Sequence, residues 1–346
     1  MNKIKITRAG LLTTIQDKGR WGYQQYGMSV AGAMDLFSMR VANLLVDNDE
    51  NTAIMETTFL GPEIEFSCNE IIAITGGNMN PRLNGDRIPM WSSILVKKGD
   101  LLSFSGINSG LRSYISFSRG LDVPEILASK STFLRGNLGG FEGRKLADGD
   151  EIPLGDRSIE SRGSYLPNSF IPEYKKEYDI RVVIGPQDDY FTQEAIEIFL
   201  KSTYKVTSQA DRMGYRLDGP KISHKDSADI ISDGIVFGSI QVPGHGSPII
   251  MMADRQTTGG YTKIATVITP DLSLLAQMGP DSQINFKAIS VDEAHAIYKE
   301  YENRFSEIKK FISDNRIAFK KDIIMSLKLE GKSYEVVVRE VEEDKE

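Results

Sequence analysis

The chain has 346 residues, 40% apolar and 26% charged, which describes a folded chain of about two cores and excludes a disordered one. Its 48 acidic residues outnumber 41 basic ones, a net charge of −7, so the global balance does not suggest a nucleic-acid surface. One cysteine, Cys68, excludes an internal disulfide. No apolar run reaches the length of a membrane span and the N-terminus has no signal-peptide core, so a soluble, cytoplasmic protein without membrane contact is expected.

In chain order, "PEIEFS", "EIIAIT", "SILVKKGDLLSF" and "RSYISF" are short β-rich runs broken by Gly, Asn and Asp. A Gly-Asp device recurs in "NGDRIPM", "KKGDLLSF", "LADGDEIPL" and, with one insertion, "MGPDSQINF". Glycine supplies a positive φ and aspartate closes the turn with its side chain, a spacing that fits a barrel or sandwich better than a βαβ sheet. Ser29 to Asp47 reads as a helix, with Met34, Phe37, Val41, Leu44 and Leu45 on one face covering a barrel face or end.

From Gly155 to Glu177 the sequence is polar, holds two prolines and shows no period, which predicts a linker. "DIRVVIG" opens a second β-rich series that includes one helix, "DYFTQEAIEIFLKS", and the strands "GIVFGSIQV", "SPIIMMA" and "YTKIATVIT". From Val291 to Phe319, Ala294, Ile297, Tyr301, Phe305, Ile308 and Phe311 or Ile312 recur every three or four positions, predicting an amphipathic surface helix. "IIMSLKLEGKSYEVVVREVEEDKE" then reads as a hairpin with an acidic, frayed end. The expected division is an N-terminal barrel over 1–160, a second barrel over 178–290, and a helix plus hairpin over 291–346. The fold class is mainly β with a few helices.

There is no P-loop pattern, no nucleophile elbow and no biotin-attachment lysine between methionines. His224, His245 and His295 lie far apart, so no metal site is expected. "RGNLGGFEGRK" is glycine-rich, but its spacing is that of a turn and not of a phosphate loop.

Six blocks together resemble the biotin-dependent carboxyltransferase, or allophanate hydrolase subunit 2-like, family: "GLLTTIQDKGRWGYQQYGMSVAGAMD", "ITGGNMNPRLNG", "RGNLGGFEGRKLADGD", "ADRMGYRLDG", "SDGIVFGSIQVPGHGSPIIMMADRQTTGGYTKIATV" and "LAQMGPDSQINF". The family takes in the carboxyltransferase part of urea carboxylase and the C-type component of bacterial 5-oxoprolinase, which this chain resembles most. The resemblance spans residues 4 to 290 and implies two tandem cyclophilin-like β-barrels with a cleft between them. It also implies a B-type 5-oxoprolinase partner and, for the oxoprolinase, an A-type one, with ATP handled by a partner and no cofactor bound by this chain. The function expected on these grounds is that of the C-type component of an ATP-dependent 5-oxoprolinase, inactive alone, which helps convert 5-oxoproline to glutamate. The alternatives are a carboxyltransferase component acting on urea or a similar amide with carboxybiotin from another protein, and a regulator that binds and antagonises a B-type-like kinase inhibitor. Two positions depart from the family pattern: Thr262 stands where relatives carry Pro, and Ser247 where they carry Gln.

Opening a lactam and transferring a carboxyl group both build negative charge on an amide oxygen, which fixed N–H and O–H donors can stabilise without a metal. In "DRQTTGGY", Asp254 is expected as a general base or an orienting group, and Gln256, Thr257 and Thr258 as donors. Gly259 and Gly260 allow close approach, beside Tyr261. Gln241 with Gln256 suits an amide or ureido group, and Arg255 and Arg216 suit a carboxylate or other anion. Gln16, Asp17, Arg20 and Tyr23 are expected at an opposing lip of the cleft or at a partner's seat. The simpler alternatives are an Asp254–Arg255 ion pair at a strand end, and a surface Asp17–Arg20 pair at a turn.

Overall fold

A computed structural model describes residues 2–159, 162–319, 323–329 and 332–338. The chain is mainly β, as expected. Its N-terminal half pairs two sheets. One has six strands in the order Glu151–Pro153, Lys3–Arg8, Glu63–Phe66, Leu101–Phe104, Pro81–Leu83 and Asp86–Arg87; the other has five, Leu12–Gln16, Ile54–Thr58, Ser109–Phe117, Glu70–Asn78 and Ser93–Val96. Alternating residues such as Ile4, Ile6, Ile64, Phe66, Ile72, Ile74, Ile115 and Phe117 close one core between them. The Gly-Asp device works as its composition suggests at two of its four places, whereas in "MGPDSQINF" Asp281 (φ 69°) and not Gly279 takes the positive φ. Gly99 and Gly149 hold φ of +89° and +92°, and the side chains of Asp100 and Asp150 accept from the backbone N–H of Lys97 (2.7 Å) and Ala147 (2.8 Å).

The C-terminal half is a closed seven-stranded barrel, in the order Glu177–Ile184, Lys263–Val267, Ser239–Gln241, Ile249–Met251, Gly214–Asp218, Thr203–Val206 and Gln283–Ala288. A two-stranded ribbon, Asp229–Gly234 against Thr258–Tyr261, is paired separately from the barrel.

Four α-helices complete the described structure: α1 (Leu36–Leu45), α2 (Gln193–Lys201), α3 (Thr269–Leu275) and α4 (Val291–Asp314). α1 is shorter than the expected span from Ser29 to Asp47. Ala31 (φ 54°) and Gly32 (φ 92°) are left-handed and cannot continue a helix, so the helix starts at the Asp35 cap, which accepts from Ser38 N–H at 3.0 Å. Residues 29–34 instead cross to the other half, where Met34 joins the barrel's core. The buried side of α1 (Phe37, Val41, Leu44, Leu45) covers the five-stranded sheet and meets Phe305, Ile308 and Ile312 of α4. A capping box at Ser290 and Glu293 starts α4. Only the second half of its apolar stripe is buried, since Ala294 and Ile297 stay half-exposed.

The stretch expected as a plain linker is partly ordered into the fold. Arg162–Gly163 pairs with Ile317–Ala318, Ser93 N–H donates to Ser164 O at 2.8 Å, and Leu166 is buried against α1 and α4. The terminal hairpin is present as Ile323–Leu329 paired antiparallel with Lys332–Val338, and the acidic end at 339–346 lies outside the described residues. No described helix is long and apolar enough to cross a membrane.

Candidate functional site

The two halves meet across buried charge. Glu56 sits mid-strand in Ile54–Thr58, a strand buried on both faces, and is 1% exposed. Its Oε1 accepts from Arg212 Nη1, and its Oε2 accepts from Met34 N–H and Tyr114 OH, both at 2.8 Å. Arg212 also clamps Asp254, through Nε to Oδ2 (3.1 Å) and Nη2 to Oδ1 (2.8 Å), and donates to Gly32 O at 2.6 Å. Arg112 lies 4.0 Å from Glu56 and donates to Tyr215 OH (2.6 Å) and Ala276 O (2.5 Å). Gln277 completes the seam, accepting from Leu111 and Arg112 N–H and donating to Asp35 at 2.8 Å.

This geometry corrects the expected Asp254–Arg255 pair: the aspartate's partner is Arg212, 42 positions away. With both oxygens occupied, Asp254 suits the orienting role better than that of a general base. Burial pushes its carboxyl above the ordinary value, against the pull of Arg212. Burial opposes the charge on Arg212 too, but Asp254 and Glu56 hold it firmly protonated.

Arg255 has no ion pair among the described residues. Its Nε and Nη1 donate to the carbonyls of Ile235 and Met252, each at 3.3 Å, and its guanidinium lies 5.5 Å from the Phe237 ring centre. Burial lowers its pKa to about 10. Gln241 and Gln256 converge on Gly259. A methyl group there would come 2.9 Å from Gln241 Nε2 and 3.3 Å from Gln256 Nε2, as well as 2.5 Å from Ile235. Glycine is what leaves room for both amides to face one point. Gln241 Nε2 donates to Tyr261 O at 3.3 Å, whereas Gln256 Oε1 is buried with no partner among the described residues.

Thr257, Gly259 and Gly260 are half-buried, while Thr258 and Tyr261 are exposed on the ribbon. The ribbon is pinned by Lys263, a buried lysine that donates to Asp233 Oδ2 (2.7 Å) and Gly234 O (2.9 Å). Thr262, at the position where the family pattern has Pro, is buried with its hydroxyl 3.0 Å from His224 Nε2. Arg216 does not join this group. It alternates with the inward Tyr215 and Leu217, so it is exposed on the barrel's outer side.

The N-terminal candidates are mostly buried. Asp17 accepts from Gly19 N–H (2.8 Å), Ser129 Oγ (2.7 Å), Lys130 N–H (2.6 Å) and Ser131 Oγ, closing a turn onto residues 129–131. Arg20 is fully buried, which corrects the surface pair expected with Asp17. Its Nη2 donates to Ser131 O at 2.7 Å and its Nε reaches Ile126 O at 3.4 Å. Burial lowers its pKa, with Asp17 and Asp254 opposing, so Arg20 feels the carboxylate of the other half. Arg20 N–H donates to Val30 O, and Ser29 Oγ to Arg255 O at 2.9 Å, so this loop packs directly on the Asp254 stretch. Gln16 donates to Thr14 Oγ1 and Thr132 O. Tyr23 is half-buried beside a short turn.

Several buried polar atoms lack a hydrogen-bond partner among the described residues. Of these, Glu70 Oε2, Arg119 Nε and Arg112 Nε face an opposite charge within 4.0 Å. Those left are Ser92 Oγ, Gln16 Oε1, Arg20 Nη1 and Gln256 Oε1, and all but Ser92 fall in the two stretches singled out from the sequence. An unpaired buried polar atom costs about 1–3 kcal/mol, so each of these is a candidate to meet a ligand or water.

Two cavities of about 290 and 280 Å³ lie along the same seam, where α1, α3 and α4 meet. Neither is lined by residues 254–261. The first, however, is walled by Phe237, the ring beside Arg255, and by Lys18 next to Asp17.

Sequence reasoning missed Glu56 and, within "ADRMGYRLDG", preferred Arg216 to Arg212. A carboxylate in the middle of the apolar run "AIMETTFL" was the available signal for the first. For the second, strand alternation in "GYRLD" turns Arg216 outward and leaves Arg212, just before the strand, free to turn in.

The family described as Carboxyltransferase domain, subdomain A and B, matches residues 26–288. The chain is 36% identical over 308 residues to the C subunit of 5-oxoprolinase from Escherichia coli (strain K12), covering 88% of this chain and 97% of that protein. It is 36% identical over 315 residues to urea amidolyase of Saccharomyces cerevisiae, covering 85% of this chain but only 17% of that much longer protein. The urea amidolyase of K. lactis superimposes with a TM-score of 0.83 at 30% identity, over 98% of this chain and 22% of that one. The chain is therefore homologous to the 5-oxoprolinase C subunit and to one portion of the urea amidolyases, and it belongs to the carboxyltransferase domain family.

Proposed function

We propose that this chain is the C-type member of a cytoplasmic, ATP-dependent 5-oxoprolinase that hydrolyses 5-oxoproline to glutamate together with A- and B-type partners. The observation that carries the reading is coverage of the relative: the alignment takes in 97% of the E. coli 5-oxoprolinase C subunit, against 17% of the yeast urea amidolyase. The site chemistry is compatible with it. As a lactam opens, charge builds on its amide oxygen, and the carboxamide nitrogens of Gln241 and Gln256 face one point beside Gly259. Preorganised donors of this kind stabilise such charge without reorganising during the reaction. Asp254, clamped by Arg212, fixes the turn that Gln256 follows. ATP is assigned to a partner, so the isolated chain is expected to be inert.

A second reading, carboxyl transfer from carboxybiotin on another protein to urea or a similar amide, is favoured by the close superposition on the K. lactis urea amidolyase over 98% of the chain. The test is reconstitution. Co-expression with A- and B-type partners should give ATP-dependent glutamate release from 5-oxoproline that avidin does not inhibit. Avidin-sensitive ATP turnover with urea and a biotin carboxylase, without glutamate release, would replace the first reading by the second. Robust glutamate release by the chain alone would remove the assignment to a multi-protein complex.

A further inference from the structure

We propose that Lys263 and Asp233 are positioning residues for the reaction: they latch the ribbon onto the barrel so that the carboxamides of Gln241 and Gln256 stay converged beside Gly259. This rests on the 5-oxoprolinase reading and deepens it, because the pair acts through the glutamines and not on the substrate.

Lys263 and Gln241 are cross-strand partners in the barrel, and opposed residues of an antiparallel pair project from the same face. Their neighbours Ile240, Val242 and Ile264 enter the barrel's core, so that face is the outer one. Both residues are nonetheless only 2% exposed, and each reaches a different strand of the ribbon. Gln241 Nε2 donates to Tyr261 O at 3.3 Å, on the strand Thr258–Tyr261. Lys263 Nζ donates to Asp233 Oδ2 at 2.7 Å and to Gly234 O at 2.9 Å, on the strand Asp229–Gly234. Gln187 braces the pair. Its Nε2 donates to the same oxygen of Asp233 and its Oε1 accepts from Lys263 N–H, each at 3.0 Å.

The latch lies one step from the glutamines. In the ribbon Asp233 stands opposite Gly259, and Gly234 opposite Thr258. Ile235 follows: its N–H donates to Thr257 O at 3.0 Å, and its Cδ1 lies 2.5 Å from where a methyl group on Gly259 would stand. Residues 233–235 therefore back the glycine that both amides face. Taking a lysine head out of water is costly, and an apolar clamp between ribbon and barrel would avoid that cost. What the ammonium adds is direction, since two hydrogen bonds to adjacent ribbon residues fix where the ribbon sits above Gln241. Displacing aligned groups by about 1 Å can cost about 10² in rate.

A double-mutant cycle on the assembled complex decides whether the latch acts through the glutamines. Lys263→Met keeps the length of the side chain and removes its donors. It should lower kcat for 5-oxoproline about ten- to a hundredfold while KM moves less than about threefold, and Lys263→Arg should recover most of the loss. In a Gln256→Leu background the same change should lower kcat by less than about a further threefold, whereas its effect on the melting temperature should be alike in both backgrounds. Losses in kcat that multiply fully in the double variant, or an unchanged kcat in a folded Lys263→Met complex, would overturn the proposal and leave Lys263 a structural tie. Should Lys263→Met fail to fold, Asp233→Asn removes the charge from the more exposed side of the latch and carries the same cycle. A wild-type complex silent on 5-oxoproline would sink the underlying reading instead. The cycle then runs on avidin-sensitive, urea-dependent ATP turnover, where fully multiplying losses overturn the latch all the same.

Discussion

Two sets of buried polar side chains in the molecule are built on opposite rules. In the cluster of Glu56, Arg212 and Asp254, each carboxylate oxygen accepts at least one hydrogen bond and Arg212 is shared between carboxylates from both halves. In the other set, Gln16, Arg20 and Gln256, each side chain keeps one buried atom without a partner among the described residues. The matched group has the character of architecture, because breaking it strands charges in a low dielectric. The unmatched group has the character of a site, because its members gain most from a ligand.

That contrast is open to direct attack, and the largest effect should come from the matched side. Arg212→Met leaves Glu56 and Asp254 as two buried carboxylates without their shared cation, so the isolated chain should lose about 3–5 kcal/mol in urea unfolding. Adding Glu56→Gln and Asp254→Asn should recover part of the loss, and a loss below about 1 kcal/mol would show that the network is not what joins the halves. On the unmatched side, Gln256→Leu should cut turnover of the assembled complex about 10²–10³-fold. Its unfolding free energy should stay within about 1 kcal/mol of wild type, since one of the atoms removed was unsatisfied.

A smaller effect should come from Asp35, which accepts from Ser38 and Gln277 but has no cation within hydrogen-bond reach among the described residues. Burial raises its carboxyl above the ordinary range despite those hydrogen bonds. The native state therefore binds this proton more tightly than the unfolded state does. Its contribution is full below the unfolded pKa of about 4 and is lost as pH rises through the higher folded value. Asp35→Asn still offers an oxygen to cap α1 and should flatten that slope, as urea midpoints measured from about pH 4 to neutrality would reveal. The smallest effect should be that of Thr258→Val. The threonine is exposed on the ribbon, so stability should move by no more than about 0.5 kcal/mol and turnover by less than about tenfold.

Much of this was legible in the sequence because it depends on local chemistry. Gly99 with Asp100 and Gly149 with Asp150 announce their turns, and the stripe Phe305, Ile308, Ile312 announces a helix with a buried side. The motif "DRQTTGGY" stands out by composition, and with it Gln241, whose amide meets Gln256 across Gly259. What was illegible depends on distant pairing. Nothing local couples Glu56 to Arg212 across 156 positions, and adjacency suggested Arg255 for Asp254 where the fold supplies Arg212. Arg216 was expected to suit an anion, but strand alternation turns it to the barrel's outer side, away from Gln241 and Gln256.

The clamp of Arg212 has a consequence for how the molecule is inherited and dismantled. Each half looks like a self-contained β unit with its own apolar core. Cut apart, however, the N-terminal unit would keep Glu56 inside a strand buried on both faces, with the hydrogen-bonded guanidinium of Arg212 gone and only Arg112, 4.0 Å away, left beside it. The barrel would expose Arg212 and Asp254 as a lone pair at a raw surface. Two cores joined this way lose the independence that separate domains usually have. The smallest portable module is then the pair, so evolution can transplant the two halves into longer enzymes together far more easily than one at a time.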